Sequence, residues 1–104
     1  MCGFVGLIGP DTVAPSLVMG LQAIQHRGQD AAGAATFDGH RWHLTKDLGM
    51  VSSVLSANRI QDMTGDVGIA HVRYPTAGTT STQQDAQPFQ TRHPGIVLAH
   101  NGNL

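Results

Sequence analysis

The chain has 104 residues, enough for one domain or part of one, and only 12% of them are charged against about 25% in an average soluble domain. A hydrophobic fraction of 40% argues against intrinsic disorder, and a net charge of -1 without a Lys/Arg cluster argues against a nucleic-acid face. The longest apolar run, Cys2 to Gly9, falls far short of the roughly 20 residues of a membrane helix, and its flanks lack the marks of a signal peptide.

Cys2 to Ile8 (CGFVGLI) predicts a buried strand bounded by Gly9-Pro10. Pro15 suits the first turn of a helix, and Leu17, Val18, Leu21 and Ile24 recur at helical spacing. That helix is expected to end near Arg27-Gly28, with the glycine as its terminator. Ala31 to Phe37 (AAGAATF) predicts a strand running into Asp38-Gly39, a two-residue hairpin signal, with Trp42 and Leu44 on the return strand. A short helix is expected over Met50 to Asn58, with Val51, Val54 and Leu55 on one side. Val67 to Arg73 (VGIAHVR) predicts a strand that stops at Tyr74-Pro75. Thr76 to Gln90 is polar and predicts a long loop. Gly95 to His100 (GIVLAH) predicts a last strand, followed by a turn at Asn101-Gly102. Hairpins mixed with a few helices give an α+β fold rather than alternating βαβ units. The strands read as covered on both faces, yet only one good helix covers them, so the pattern predicts a fragment of a larger domain.

Several common sites are absent: no phosphate-binding G-x-x-x-x-G-K-[ST] loop and no G-x-S-x-G elbow. Gly3, Gly6 and Gly9 are spaced evenly by three, which is not a dinucleotide-binding pattern. His40 and His43 form the closest histidine pair, but on a strand they point to opposite faces, so no metal site is expected. The one cysteine forms no internal disulfide, and without an export signal a reducing, cytoplasmic setting is expected.

Cys2 admits two readings. It is a small buried hydrophobe at a strand start, or it becomes the N-terminal residue once Met1 is removed. In the second case the thiol, with a usual pKa near 8.5, sits beside an α-amine with a pKa near 7.7–8.0 that takes its proton. One residue then supplies both nucleophile and base. A thiolate attacking a carboxamide needs donors for the developing oxyanion, and Asn101 and Gly102 offer a side-chain NH₂ and a backbone N–H. The same pair is also a plain tight turn. Arg73 is either a solvated strand-end arginine or a bidentate clamp for a substrate carboxylate.

Five segments in order carry more than any single residue: MCGFVGLIG (1–9), QHRGQDAAG (25–33), GIAHVRYPTAG (68–78), QPF (87–89) and AHNGNL (99–104). Together they resemble the N-terminal glutaminase domain of the amidophosphoribosyltransferase family, among the class-II glutamine amidotransferases. Glucosamine-6-phosphate synthases, the alternative within that class, read more like YRGYDSAG and HTRWATHG. A non-catalytic truncated remnant is the third reading.

The resemblance implies a four-layer αββα sandwich of the N-terminal nucleophile hydrolase type, present here in part. It implies Cys2 as nucleophile with its own α-amine as base, Asn101 and Gly102 as the oxyanion hole, and Arg73 with Thr76 at the glutamine α-carboxylate. His26-Arg27-Gly28 would support the site, and Tyr74 to about Gln84 would form a loop that closes over glutamine. Hydrolysis would pass through a γ-glutamyl thioester. The ammonia would attack phosphoribosyl pyrophosphate in a separate phosphoribosyltransferase domain, giving 5-phosphoribosylamine, the first step of purine synthesis. An aspartate for the substrate amino group would lie beyond residue 104. Cys2 follows Met1, so no propeptide is expected. No cofactor is expected in this segment. Mg²⁺ would accompany the pyrophosphate in the transferase domain, an iron–sulfur cluster would need ligands from elsewhere, and the full-length protein would be a homo-oligomer.

Overall fold

The computed structural model describes residues 2–75, 82–92 and 95–102. Four strands, β1 (Gly3–Ile8), β2 (Ala31–Phe37), β3 (Trp42–Leu48) and β4 (Val67–Arg73), form an antiparallel sheet in the order β1-β4-β2-β3. The latest of these strands in sequence is thus inserted between the two earliest. Val72 pairs with Gly3 on one side and Ala32 on the other, and Ala70, His71 and Val72 are fully buried.

One face of the sheet is covered by helices. In α1 (Ala14–Ala23) Pro15 lies in the first turn, where its missing N–H breaks no helical bond. Ala14, Leu17 and Leu21 point at the sheet, where they join Ala32, Ala34, Ala70 and Val72 in the core. The chain leaves α1 at Ile24 and makes one 3₁₀ turn, Gln25–Arg27. Gly28 then ends it with φ -169°, extended backbone rather than the left-handed cap expected.

The helix expected over 50–58 is two short ones, α2 (Val51–Val54) and α3 (Ala57–Ile60). The break falls at Ser56, whose extended backbone starts α3, a position that serine favours. Val51, Val54 and Leu55 are buried together as the spacing predicts.

The β2–β3 hairpin forms, but its loop has four residues rather than two, because Phe37 pairs with Trp42. Asp38 Oδ1 accepts the backbone N–H groups of His40 and Arg41 at 2.8 and 3.0 Å, while Gly39 takes φ +99°. His40 therefore lies in the loop and not on a strand with His43. His43 is instead tied by Nε2 to Asp38 Oδ2 at 2.7 Å.

The other face of the sheet is only partly covered. A second, two-stranded sheet forms from β5 (Phe89–Thr91) and β6 (Ile96–Leu98). β5 and a 3₁₀ turn at Gln83–Asp85 interrupt the long loop expected over 76–90. Lys46 on β3 pins this segment by donating from Nζ to the carbonyls of Ala86 and Pro88, at 2.7 and 3.2 Å. β1 is not covered on both faces: Val5 and Leu7 pack on the core, whereas Phe4 and Ile8 on the opposite face are 57% and 84% exposed. Among the described residues, no helix is long and apolar enough to cross a membrane.

Candidate active site

The antiparallel register sets the site. Gly3 pairs with Val72, so Cys2 continues β1 beside the C-terminal end of β4, where Arg73, Tyr74 and Pro75 follow. Cys2 is buried, and its Sγ lies 3.4 Å from the Tyr74 backbone nitrogen, which donates to it. Its carbonyl accepts from Arg27 Nε at 2.9 Å. The nucleophile candidate is therefore held by two elements distant in sequence. Met1 lies outside the described residues.

The 3₁₀ turn after α1 is locked onto the end of β4. A Cβ on Gly28 would stand 2.6 Å from the carbonyl carbon of Arg73, 2.7 Å from the Arg73 carbonyl oxygen and 2.8 Å from the carbonyl carbon of Val72. The glycine is needed for close approach, not for a helix stop. Gln25 fixes the same turn: its amide nitrogen donates to the Gly28 carbonyl at 2.6 Å, and its oxygen accepts from Val51 N–H at 2.9 Å.

Arg73 is not the solvated strand-end residue that one reading allowed. Its side chain is 15% exposed, and Nη1 donates to Asp30 Oδ2 at 2.7 Å. The Asp30 backbone N–H also donates to the Arg73 carbonyl at 3.1 Å. The ion pair fixes where the guanidinium points. Asp30 was not singled out from the residues. It stands within QHRGQDAAG, but nothing local marks its partner 43 positions away.

A cavity of about 390 Å³ opens here, lined by His26, Gln29, Asp30, Tyr74 and Pro75. Its size lies within the range of small-ligand sites. Cys2 does not line it, but its Sγ accepts from the backbone of Tyr74, which does. Thr76 and positions 77–81 of the expected glutamine loop lie outside the described residues.

Asn101 and Gly102 are exposed and follow β6. Gly102 has φ +139°, a conformation that favours glycine, and the chain bends at both residues. No described contact joins Asn101 or Gly102 to Cys2. They are linked to β4 through His71, whose Nε2 donates to the His100 carbonyl at 3.0 Å and whose imidazole also interacts with the Asn101 side chain, while the His100 N–H donates to Gln87 Oε1 at 2.7 Å. Burial pushes the His71 imidazole down to about 4, so it is neutral near pH 7, and the His100 carbonyl opposes that shift only in part. Sequence reasoning gave neither His71 nor Gln87 a role. A polar residue at an inward position of a central strand was the available signal.

No family model matches the chain. Curated relatives match it over its whole length. The amidophosphoribosyltransferase of Pseudomonas aeruginosa is 50% identical over 105 residues, and that of Escherichia coli K12 is 51% identical over 106 residues. The match covers 100% of this chain and 21% of each relative, so the chain spans about a fifth of their length. Among solved structures, the glutamine phosphoribosylpyrophosphate amidotransferase from B. subtilis, complexed with ADP and GMP, superposes with a TM-score of 0.82 at 32% identity. It covers 100% of this chain and 22% of that one. The α+β fold is of the N-terminal nucleophile type seen in that domain, with the helical layer, the four-stranded sheet and part of the facing β-layer among the described residues.

Proposed function

Because this chain is similar over its whole length to the N-terminal part of amidophosphoribosyltransferases, we propose that it is the glutamine-hydrolysing part of such an enzyme. The observation that supports this best is the seat of Cys2: at the start of β1, with Sγ at the Tyr74 amide, beside the Asp30–Arg73 pair and the cavity next to it.

In this reading Met1 is removed and the α-amine of Cys2 takes the thiol proton. The thiolate attacks the side-chain amide carbon of glutamine. Asn101 NH₂ and Gly102 N–H donate to the oxyanion, while Arg73 and Thr76 hold the α-carboxylate. The carbon–nitrogen bond breaks, the proton leaves with ammonia, and a γ-glutamyl thioester remains. Water then cleaves the carbon–sulfur bond, giving glutamate and the free thiol. Tyr74 to about Gln84 closes over the substrate and limits the entry of bulk water.

The rest of the reaction belongs to a phosphoribosyltransferase domain beyond this chain. There ammonia displaces pyrophosphate from phosphoribosyl pyrophosphate to give 5-phosphoribosylamine, with Mg²⁺ accompanying the pyrophosphate. The enzyme is cytoplasmic and homo-oligomeric, acts on these small molecules, and engages neither nucleic acid nor membrane. Any iron–sulfur cluster takes its ligands from outside this segment, whose one cysteine is the nucleophile.

The test uses the full-length gene product. Intact mass should show Met1 absent, and an electrophilic glutamine analogue should alkylate Cys2. Cys2→Ser should abolish glutamine-dependent consumption of phosphoribosyl pyrophosphate and spare the ammonia-dependent reaction. Retained Met1 or an unmodified Cys2 sinks the mechanism. Turnover with fructose 6-phosphate in place of phosphoribosyl pyrophosphate would move the chain to the glucosamine-6-phosphate synthase class.

A further inference from the structure

We infer that His71 and Gln87 are positioning residues that orient the Asn101-Gly102 turn for oxyanion binding, by clamping the backbone of His100 from both sides. The inference rests on the glutaminase reading above and deepens it.

Among the described residues, the turn is held by the Asn101 side chain at His71 and by the backbone of His100 before it. Asn101 and Gly102 are exposed, and a Cβ added at Gly102 would meet nothing within 4 Å. β6 has only three residues. Yet an oxyanion donor works only when it is aimed in advance. The residue just before the turn is fixed at both backbone polar groups: His71 Nε2 donates to its carbonyl at 3.0 Å, and Gln87 Oε1 accepts its N–H at 2.7 Å.

Both clamping side chains are themselves immobilised. His71 is fully buried on the central strand β4, two residues before Arg73. Gln87 is 4% exposed. Its carbonyl packs over Gly33 on β2 so closely that a Cβ there would overlap it. The carbonyls on either side of Gln87 accept from Lys46 Nζ, over which the Phe89 ring stacks at 5.0 Å. The turn is thereby referenced to β2, β3 and β4 at once, and β4 also carries Arg73.

The tautomer agrees with this role. The His100 carbonyl requires a proton on Nε2, which leaves Nδ1 as a bare acceptor. That atom is buried and has no hydrogen-bond partner among the described residues. An unsatisfied buried nitrogen on a central strand costs stability. Retaining an imidazole there, where an apolar residue would pack at less cost, is accounted for by the bond that Nε2 makes.

The test measures the ratio of glutamine-dependent to ammonia-dependent kcat in the full-length gene product, so that any general loss of protein cancels. His71→Leu removes the donor. The ratio should fall on the order of 10²-fold, as for loss of an oxyanion donor, with KM for glutamine within about threefold. His71→Gln keeps an N–H at nearly the Nε2 position and should restore the ratio to within about tenfold of wild type. Gln87→Met, close in shape but without the acceptor, should lower the ratio as His71→Leu does, and decides on the same terms if His71→Leu does not fold. Unchanged ratios, a loss confined to KM, or equal damage from His71→Leu and His71→Gln overturns the inference. Wild-type enzyme without glutamine-dependent activity or Cys2 labelling overturns the glutaminase reading instead, and this inference with it.

Discussion

Replacing Gly28 by alanine puts one methyl group into the join between the 3₁₀ turn and β4. Its carbon would lie 2.6–2.8 Å from three backbone atoms of Val72 and Arg73. Those contacts fall about 1 Å inside ordinary carbon contact distances, and no rotamer change relieves them. Overpacking costs roughly 1–3 kcal/mol, and with only main chain to push against the upper end, about 3 kcal/mol, applies. At 1.4 kcal/mol per tenfold, that is on the order of 10²-fold in the local opening equilibrium. Hydrogen exchange of full-length protein, followed by mass spectrometry on peptides covering 67–75, reads this directly. Gly6→Ala is the control, since the nearest atom to its added carbon is Ile69 Cγ2 at 3.8 Å. Protection of β4 should drop in Gly28→Ala and stay at the wild-type level in Gly6→Ala. Equal protection in the two variants refutes the packing argument.

Leu17 is fully buried in α1 against the sheet, and Leu17→Ala should cost about 3 kcal/mol, seen as lost exchange protection in both α1 and β4. Protection lost from the helix alone would mean that this side chain does not couple the two layers. His71 gives a pH dependence of defined sign. Its pKa is lowered from 6.5 to about 4 by burial, so between these values the unfolded chain binds a proton that the folded chain refuses. Its contribution to stability is present above about pH 6.5 and drains as the pH falls toward 4. Wild type should therefore lose more stability than His71→Gln between pH 7 and 4, and parallel unfolding profiles would contradict this.

The strands β1, β2 and β4 were legible within a residue because each is a short apolar run stopped by glycine, proline or a turn pair. Trp42 and Leu44 placed β3 by alternation. What was hidden depended on distance along the chain. β5 is three residues, Phe89–Thr91, and exists through its pairing with β6 rather than through any pattern of its own. Gly28 looked like a helix terminator from its neighbours, while the atoms that require it are on β4. At the site, Cys2, Arg73 and the Asn101-Gly102 turn were visible as residue types suited to acyl chemistry. Gln25, Asp30, His71 and Gln87 were not, because each acts through a backbone or side-chain partner that only the fold supplies. The exposure of Phe4 and Ile8 was missed for a related reason. An apolar run reports that a strand is fit for burial, and the number of layers present decides how much of it is buried.

β2 carries four alanines among its seven residues, and Ala31, Ala32, Ala34 and Ala35 are all at most 1% exposed. A strand of such small residues makes a thin partition between the helices on one side and the Gln87 segment on the other. It acts as a gauge: the reach of its side chains sets how near those two sides come. Its mutational response is therefore one-sided. There is little to trim from alanine, whereas each added methyl would wedge the two sides apart and carry Gln87, and the turn that follows β6, away from β4.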